Sequence, residues 1–243
     1  MVKRDLSLLF GISNLIDKHK IRCPVFDLDD TLYPERDYCL SGFKSLGIEF
    51  SQVFGVSPDV LTEKLTESFN LAGDGKVFNR ALDSLGAVYS RELIMEMVEK
   101  YRSHSPDITL PESVWNLLER LRSRYTLALI TDGFLPAQEL KIEALGIKGF
   151  FDYIICTEKL GRDFWKPAPK AFNMILEKGG FAPDECVYIA DNPEKDFKAP
   201  NHLGWRTIMI KAPKNMNTDA SLSAEYLPET IIDSFEDLGK ILL

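Results

Sequence analysis

The sequence is poor in cysteine and has no cluster of basic residues. Its 243 residues include four scattered cysteines with no CxxC pair: Cys23, Cys39, Cys156 and Cys186. We therefore expect buried, reduced thiols rather than a disulfide framework or a zinc site. Basic residues number 29 against 37 acidic ones, so the net charge is −8. No Lys/Arg cluster that could neutralise a phosphate backbone is present, and we expect no nucleic-acid partner.

Long apolar segments are also missing. No run approaches the ~20 residues that a membrane span requires, so we expect no membrane partner. The segment 1–20 begins with basic residues, but its short apolar run is interrupted by Asn14 and Asp17. No small-residue cleavage site follows, so an amphipathic helix is favoured over a signal peptide. We therefore expect a cytoplasmic location.

Short apolar, β-branched runs are the main feature that is present. They are bounded by polar residues, which is typical of strands buried on both faces of a parallel sheet. The runs are Ile21–Phe26, Thr126–Thr131, Tyr153–Cys156, Val187–Ala190 and Arg206–Ile210. Between the later runs, apolar residues recur at helical spacing, as at Val114, Leu117, Leu118 and Leu121, at Leu140, Ala144 and Leu145, and at Phe172, Ile175 and Leu176. Alternating strands and helices predict an α/β fold with a parallel, Rossmann-like sheet.

One interval contains no strand candidate. From Tyr33 to about Asp107 there are four amphipathic helical patterns, which can bury their apolar faces against one another. Their apolar positions are Phe43, Leu46, Phe50, Val53 and Phe54; Leu61, Leu65 and Phe69; Val77, Phe78, Ala81, Leu82 and Leu85; and Leu93, Ile94, Met97 and Tyr101. The interval is too long for an ordinary crossover. We predict an inserted four-helix cap at 33–107 and an α/β core formed by 1–32 and 108–243.

Polar residues follow the predicted strands at the points where each strand ends. Parallel strands place these ends on one edge of the sheet, where ligands bind. The first strand leads into Asp27, Leu28, Asp29, Asp30 and Thr31; the second into Thr131, Asp132 and Gly133; the fourth into Asp191, with Asp196 five residues later. Lys166, before Pro167, follows the third strand.

Three of these aspartates would repel one another. Partial burial of Asp27, Asp29 and Asp191 would also raise their pKa values. The cluster becomes tolerable if a divalent cation lies among the carboxylates and Lys166 supplies a further positive charge. Hard oxygen ligands favour Mg²⁺, which is commonly held by one or two carboxylates together with substrate phosphate.

Four ordered motifs resemble those of the haloacid dehalogenase (HAD) superfamily, in its phosphatase branch. The segment from Asp27 to Thr31 resembles the DxDxT motif, Thr131-Asp132-Gly133 the second motif, Lys166-Pro167 the third, and the segment from Ile189 to Asp196 the fourth. Ala190 stands where the fourth motif often has Gly. The insertion after the first motif is similar to the helical C1-type cap of the family.

The resemblance implies phosphoryl transfer through an aspartyl-phosphate. Asp27 would be the nucleophile and Asp29 the general acid and base. Asp27, the backbone carbonyl of Asp29 and the side chain of Asp191 would hold Mg²⁺, with Asp196 as second-shell support. Phosphate oxygens would be bound by Thr131, by the backbone amides of Asp132 and Gly133, and by Lys166, which would also stabilise charge in the transition state.

The partner implied is a small phosphorylated metabolite, a sugar phosphate or a nucleoside monophosphate, admitted under the cap. Arg36, Lys76 and Arg80 could reach its tail, but solvated surface charges are the favoured interpretation of all three. A phosphomutase needs the same residues and stays open; a dehalogenase is disfavoured by Asp29, and a silent binding protein by the intact set of motifs. Asp30 is interpreted as a turn or capping residue. Packing or surface roles are expected for Trp115, Trp165, Trp205, His104 and His202.

Overall fold

A parallel sheet with helices on both faces forms the centre of the molecule. The computed structural model describes residues 16–71, 75–211 and 222–243. The strands in this part of the chain are β1 (Cys23–Phe26), β2 (Ala128–Thr131), β3 (Tyr153–Cys156), β4 (Cys186–Ala190), β5 (Arg206–Ile210) and β6 (Thr230–Ile232). They pair in parallel in the order β3-β2-β1-β4-β5-β6. The predicted α/β fold is confirmed.

Helices cover each face of this sheet. Between and after the strands lie α5 (Glu112–Arg122), α6 (Ala137–Ala144), α7 (Lys170–Gly179), α8 (Lys198–Leu203) and α9 (Phe235–Leu242). Because side chains alternate along a strand, Phe26 packs with α5 and α9 while Val25 packs with α7 and α8. Burial on both faces explains why the central strands are continuously apolar.

Four more helices lie between β1 and α5, as predicted. They are α1 (Glu35–Phe50), α2 (Pro58–Asn70), α3 (Val77–Ser84) and α4 (Arg91–Ser103). A separate cluster of buried apolar side chains, including Phe43, Leu65 and Met97, lies among them. Local capping agrees with these bounds, because Ser57 and Ser90 accept backbone hydrogen bonds at the first turns of α2 and α4.

Several sequence-based bounds differ from the structure. The strands β1 and β2 begin two residues later than predicted, and the short edge strand β6 was not predicted. Val53 does not continue the face of α1, because the helix ends at Phe50 and Val53 is exposed in a following 3₁₀ turn. The predicted N-terminal helix lies mostly outside the described residues. None of the helices in the described part of the chain combines the length and apolarity that a membrane span requires.

Candidate active site

Three neighbouring strand ends bring the predicted motifs together. The central strand β1 pairs with β2 on one side and β4 on the other. Asp27 follows β1, Thr131 ends β2, and Asp191 follows β4. This is the position at which the strand order reverses, where open α/β sheets bind ligands. All three side chains are buried.

The ammonium group of Lys166 joins the motifs into one cluster. Its Nζ donates to Asp27 Oδ1 at 2.8 Å and to the hydroxyl of Tyr188 at 3.0 Å. It also forms an ion pair with Asp196 Oδ1 at 2.7 Å. The three charged side chains are almost completely inaccessible to solvent. Removing one member of such a buried pair typically costs about 3–5 kcal/mol, because a bare charge is left inside the protein.

The donor set fits a hard divalent cation. Asp27, Asp191 and Asp196 each offer a carboxylate oxygen, and these oxygens lie within 4.8 Å of one another. Asp27 Oδ2 is buried and has no hydrogen-bond partner among the described residues. Buried polar atoms are nearly always bonded, so an orphaned carboxylate oxygen beside two further carboxylates is what a cation site requires.

The charges of the cluster shift the pKa values of its members. Burial, together with the charges of Asp27 and Asp196, raises the pKa of Asp191 to about 7. Burial alone would lower the pKa of Lys166, but the charges of Asp196 and Asp27 outweigh it and raise that pKa well above its ordinary value. The pKa of Lys195 is also raised, since Asp27 and Asp196 outweigh its burial and the repulsion from Lys166.

The carboxylate of Asp132 holds the loop that carries Lys166. Its Oδ1 accepts a hydrogen bond from Thr157 Oγ1 at 2.7 Å, and its Oδ2 accepts one from the backbone N–H of Lys166 at 3.0 Å. Both oxygens of the Asp132 side chain are therefore occupied by hydrogen bonds within the protein. Phosphate binding through the hydroxyl of Thr131 and the backbone amides of Asp132 and Gly133 stays a prediction.

The carboxylate of Asp29 lies apart from the three-aspartate cluster. It forms a partly buried ion pair with Lys141, whose Nζ is 2.8 Å from Oδ1 and 2.9 Å from Oδ2. Tyr33 Oη donates to Oδ1 at 2.7 Å and Gln138 Nε2 donates to Oδ2 at 2.8 Å. Burial alone would raise the pKa of Asp29, but the charge and hydrogen bonds of Lys141 lower it. A role for Asp29 as a metal ligand through its backbone carbonyl stays a prediction.

The neighbouring residues of the first motif have structural contacts. Asp30 accepts a hydrogen bond from the backbone N–H of Glu35 at 2.9 Å and thereby caps α1, in agreement with the capping interpretation. Thr31 Oγ1 donates to Asp191 Oδ1 at 3.4 Å.

His104 is buried between Tyr38 and Tyr101, where it packs as expected.

Some site residues were missed at the level of sequence. Tyr188 contacts Lys166, and Thr157 contacts Asp132. The other missed residues are Lys195 and the two α6 residues Gln138 and Lys141. The buried face of α6 contains Gln138 and Lys141, whereas Leu140 is half-buried and Ala144 exposed. Of the three positions in the predicted apolar pattern, Leu145 is buried, but Leu140 and Ala144 do not mark the buried face of this helix. Gln138 and Lys141 occupy the buried face of α6 because their side chains bond to Thr131 and Asp29 at the strand ends.

The sequence profile of the haloacid dehalogenase-like hydrolases matches residues 25–210. The chain belongs to this family. Two similar HAD proteins are glyceraldehyde 3-phosphate phosphatases, from Methanocaldococcus jannaschii at 27% identity and from Methanopyrus kandleri at 28%. Each alignment covers 90% of this chain and 95% of the relative. These relatives confirm the prediction of a HAD-type phosphoric monoester hydrolase.

Solved structures of HAD proteins have the same fold. A HAD-hydrolase from Bacillus subtilis, bound to magnesium, superposes with a TM-score of 0.64 at 22% identity. The superposition covers 91% of this chain and 98% of that chain. At this identity the likeness concerns the fold, and it agrees with the predicted Rossmann-like core.

The raised pKa of Asp191 predicts a pH-dependent stability in metal-free buffer. Between about pH 4, where an unfolded Asp titrates, and about pH 7, the folded chain keeps a proton that the unfolded chain has lost. The free energy of unfolding contributed by this group therefore falls as the pH rises. Denaturant unfolding in EDTA should show the Asp191→Asn variant gaining stability over the wild type by up to about 1.4 kcal/mol per pH unit. A difference that is constant from pH 4.5 to 8 would contradict this assignment.

Proposed function

We propose that this chain is a Mg²⁺-dependent phosphatase of small phosphomonoesters, acting through an aspartyl-phosphate on Asp27. One observation carries the proposal. The carboxylate of Asp27 is fixed through Oδ1 by Lys166, while Oδ2 is buried without a hydrogen bond to any described residue. A carboxylate that is anchored on one side and bare on the other suits a group that binds a cation and forms a covalent bond to phosphorus.

The reaction has two steps at phosphorus. In the first, an Asp27 oxygen forms a bond to phosphorus while the bond from phosphorus to the ester oxygen breaks. In the second, water attacks the phosphorus of the aspartyl-phosphate while the bond from phosphorus to the Asp27 oxygen breaks, which restores the Asp27 carboxylate and releases inorganic phosphate. Asp29 takes up a proton from solvent before the first step, gives it to the departing alcohol, and takes one from water in the second step.

The charges of the phosphoryl group are balanced by groups at the strand ends. Asp27 and Asp191 would hold Mg²⁺, together with the backbone carbonyl of Asp29. When bound, this cation neutralises negative charge on the carboxylates and on the transferring phosphate. Lys166, the hydroxyl of Thr131 and the backbone amides that follow it bind phosphate oxygens, while Asp196 holds Lys166 in place.

Small sugar phosphates are the substrates that fit best. We propose that 33–107 forms a cap domain over the core formed by 1–32 and 108–243, and that this cap closes over a small ester and excludes water. The activity of the archaeal relatives on glyceraldehyde 3-phosphate supports a sugar phosphate over a nucleoside monophosphate. Arg36 and Arg80 bond to Asn70 and Ser68 of α2, which agrees better with a role inside the cap than with substrate binding.

Release of inorganic phosphate from a small ester tests the proposal. With Mg²⁺, the wild-type protein should hydrolyse both p-nitrophenyl phosphate and a triose phosphate, and EDTA should abolish the rate until Mg²⁺ is restored. Asp27→Asn should reduce turnover below detection while the protein still folds, as judged by circular dichroism, because an amide cannot attack phosphorus. An EDTA-insensitive rate, or a few per cent of activity left in Asp27→Asn, would contradict the proposal. Transfer of the phosphoryl group to a sugar hydroxyl without phosphate release would indicate a phosphomutase.

The role of Asp29 predicts a dependence on the leaving group. Asp29→Asn should lower kcat/KM about 10²–10⁴-fold for an alkyl ester such as glycerol 3-phosphate, the usual range for general acid catalysis. The loss should be much smaller for p-nitrophenyl phosphate, whose leaving group needs little protonation. The ratio kcat/KM is the right measure, because it covers only the steps up to release of the alcohol. Equal losses for the two esters would remove Asp29 from this role.

A further inference from the structure

Two arginines contact one aromatic ring beside the proposed phosphate site. The guanidinium carbon of Arg102 lies 3.4 Å from the centre of the Phe134 ring, and that of Arg162 lies 4.3 Å from it. Arg102 is in the last turn of α4, whereas Arg162 begins a 3₁₀ turn between β3 and Lys166. The fold therefore brings together two positive charges that are far apart in the sequence.

The ring that the two arginines share is next to the phosphate-binding motifs. Phe134 directly follows Gly133. Trp165 directly precedes Lys166, and its ring centre is 5.5 Å from that of Phe134. Consecutive Cα atoms are about 3.8 Å apart, so each aromatic residue is one such step from a residue that we propose to bind phosphate. The two guanidinium groups are therefore at the border of the proposed phosphate site.

Neither guanidinium group has an anionic partner among the residues that the structure describes. Glu158, the acid whose charge acts on Arg102, accepts a hydrogen bond from Trp165 Nε1 at 3.0 Å instead. Burial and the charge of Arg162 lower the pKa of Arg102. An aromatic ring attracts a cation without neutralising it. In a chain with a net charge of −8, two neighbouring cations without a carboxylate between them are a place where an anion would relieve repulsion.

Stacking leaves the hydrogen-bond donors of both groups available. A guanidinium group stacks through its flat face, while its N–H donors point outward from its edge in the same plane. These donors match the oxygens of a carboxylate or a phosphate, which a guanidinium group binds through two parallel hydrogen bonds. Arg102 is half-buried and Arg162 is exposed, so an incoming anion can reach them.

We propose that Arg102 and Arg162 form a subsite for a second anionic group of the substrate, a carboxylate or a phosphate at the end remote from the reacting ester. The inference rests on the proposed function and narrows its substrate class. Among small sugar phosphates, phosphorylated sugar acids and sugar bisphosphates are favoured over esters with an uncharged tail. Because Arg102 belongs to the proposed cap and Arg162 to the core, the second anion would contact both parts at once.

A purely structural bridge is the rival explanation. In that case the two arginines would fasten α4 to the loop before Lys166 through Phe134, and their removal would affect all esters alike. A subsite makes a different prediction, because its contribution depends on the second anion. The effect should also appear mainly in KM, since the contact lies away from the reacting atoms and is made equally in the ground state and the transition state.

Two pairs of esters that differ in one anionic group separate these explanations. Glycerol 3-phosphate is compared with 3-phosphoglycerate, and fructose 6-phosphate with fructose 1,6-bisphosphate, all with Mg²⁺. With the wild-type protein, kcat/KM should be about tenfold or more higher for the charged member of at least one pair, the usual scale for a hydrogen bond to a charged group. A preference within the first pair identifies the anion as a carboxylate, and a preference within the second identifies it as a phosphate.

Replacement of the arginines should remove this preference. Arg162→Met takes away the more exposed guanidinium group and keeps a side chain that can pack on Phe134. It should lower kcat/KM for the charged ester about 10–100-fold, mainly through a higher KM, and change the uncharged ester and p-nitrophenyl phosphate about threefold or less. Arg162→Lys keeps the charge without the planar set of donors and should fall between. Arg102→Met should show the same loss of selectivity, and Arg162→Met carries the test if thermal melts show that Arg102→Met does not fold.

Arg122→Met is the matched control. The guanidinium carbon of Arg122 lies 5.8 Å from the centre of the Phe150 ring, so this residue is also an arginine stacked on a phenylalanine. The stack is at the opposite edge of the sheet, because α5 ends before β2 begins and Phe150 precedes β3. The variant should leave kcat/KM unchanged for every ester.

The outcomes distinguish failure of the subsite from failure of the proposed function. If the wild-type protein releases phosphate from none of the esters, the proposed function is at fault and the subsite falls with it. If it hydrolyses the uncharged esters but prefers neither charged partner, the subsite is overturned and the phosphatase stands. Equal losses for both members of a pair in Arg162→Met would also overturn the subsite, in favour of a structural bridge.

Discussion

The buried ammonium group of Lys166 is the interaction on which the site depends. Asp27 and Asp191 directly follow two adjacent parallel strands, and Asp196 lies within the same cluster, so three buried carboxylates lie close together. Without a positive charge at this point, burial and mutual repulsion would disfavour their ionised forms. Lys166 pairs with two of the carboxylates at once, and Tyr188 accepts its remaining hydrogen bond. The other oxygen of Asp27 has no hydrogen bond to a described residue, and it is the oxygen that we propose for binding a cation and phosphorus.

The segment after β2 connects this cluster with the proposed acid. Asp132 accepts a hydrogen bond from the backbone of Lys166, Thr131 accepts one from Gln138, and Lys141 of α6 pairs with Asp29. One continuous stretch of about ten residues therefore contacts Lys166, the proposed phosphate site and the proposed acid. Groups fixed in this way need little reorganisation during the reaction, which is how preorganised sites lower a barrier.

Much of this arrangement could be predicted from sequence. Apolar runs of four to six residues gave the strands of the central sheet, and reading the polar residues after each run located Asp27, Thr131, Lys166 and Asp191. Prediction from sequence failed at positions whose burial is decided by tertiary contacts. Periodicity alone placed Leu140 on the buried face of α6, because no local rule indicates that a lysine and a glutamine have partners across the sheet edge. The edge strand β6 is three residues long and half exposed, too short to give a pattern.

Direct detection of the covalent intermediate tests the central claim, that Asp27 attacks phosphorus. The protein would be mixed with a small phosphomonoester and Mg²⁺, quenched during turnover, and reduced with borohydride, which converts an acyl phosphate to an alcohol. Peptide mass spectrometry should then find homoserine at position 27 and unchanged aspartate at positions 29, 191 and 196. Steady phosphate release with no modification at Asp27, or modification at another aspartate, would contradict the account.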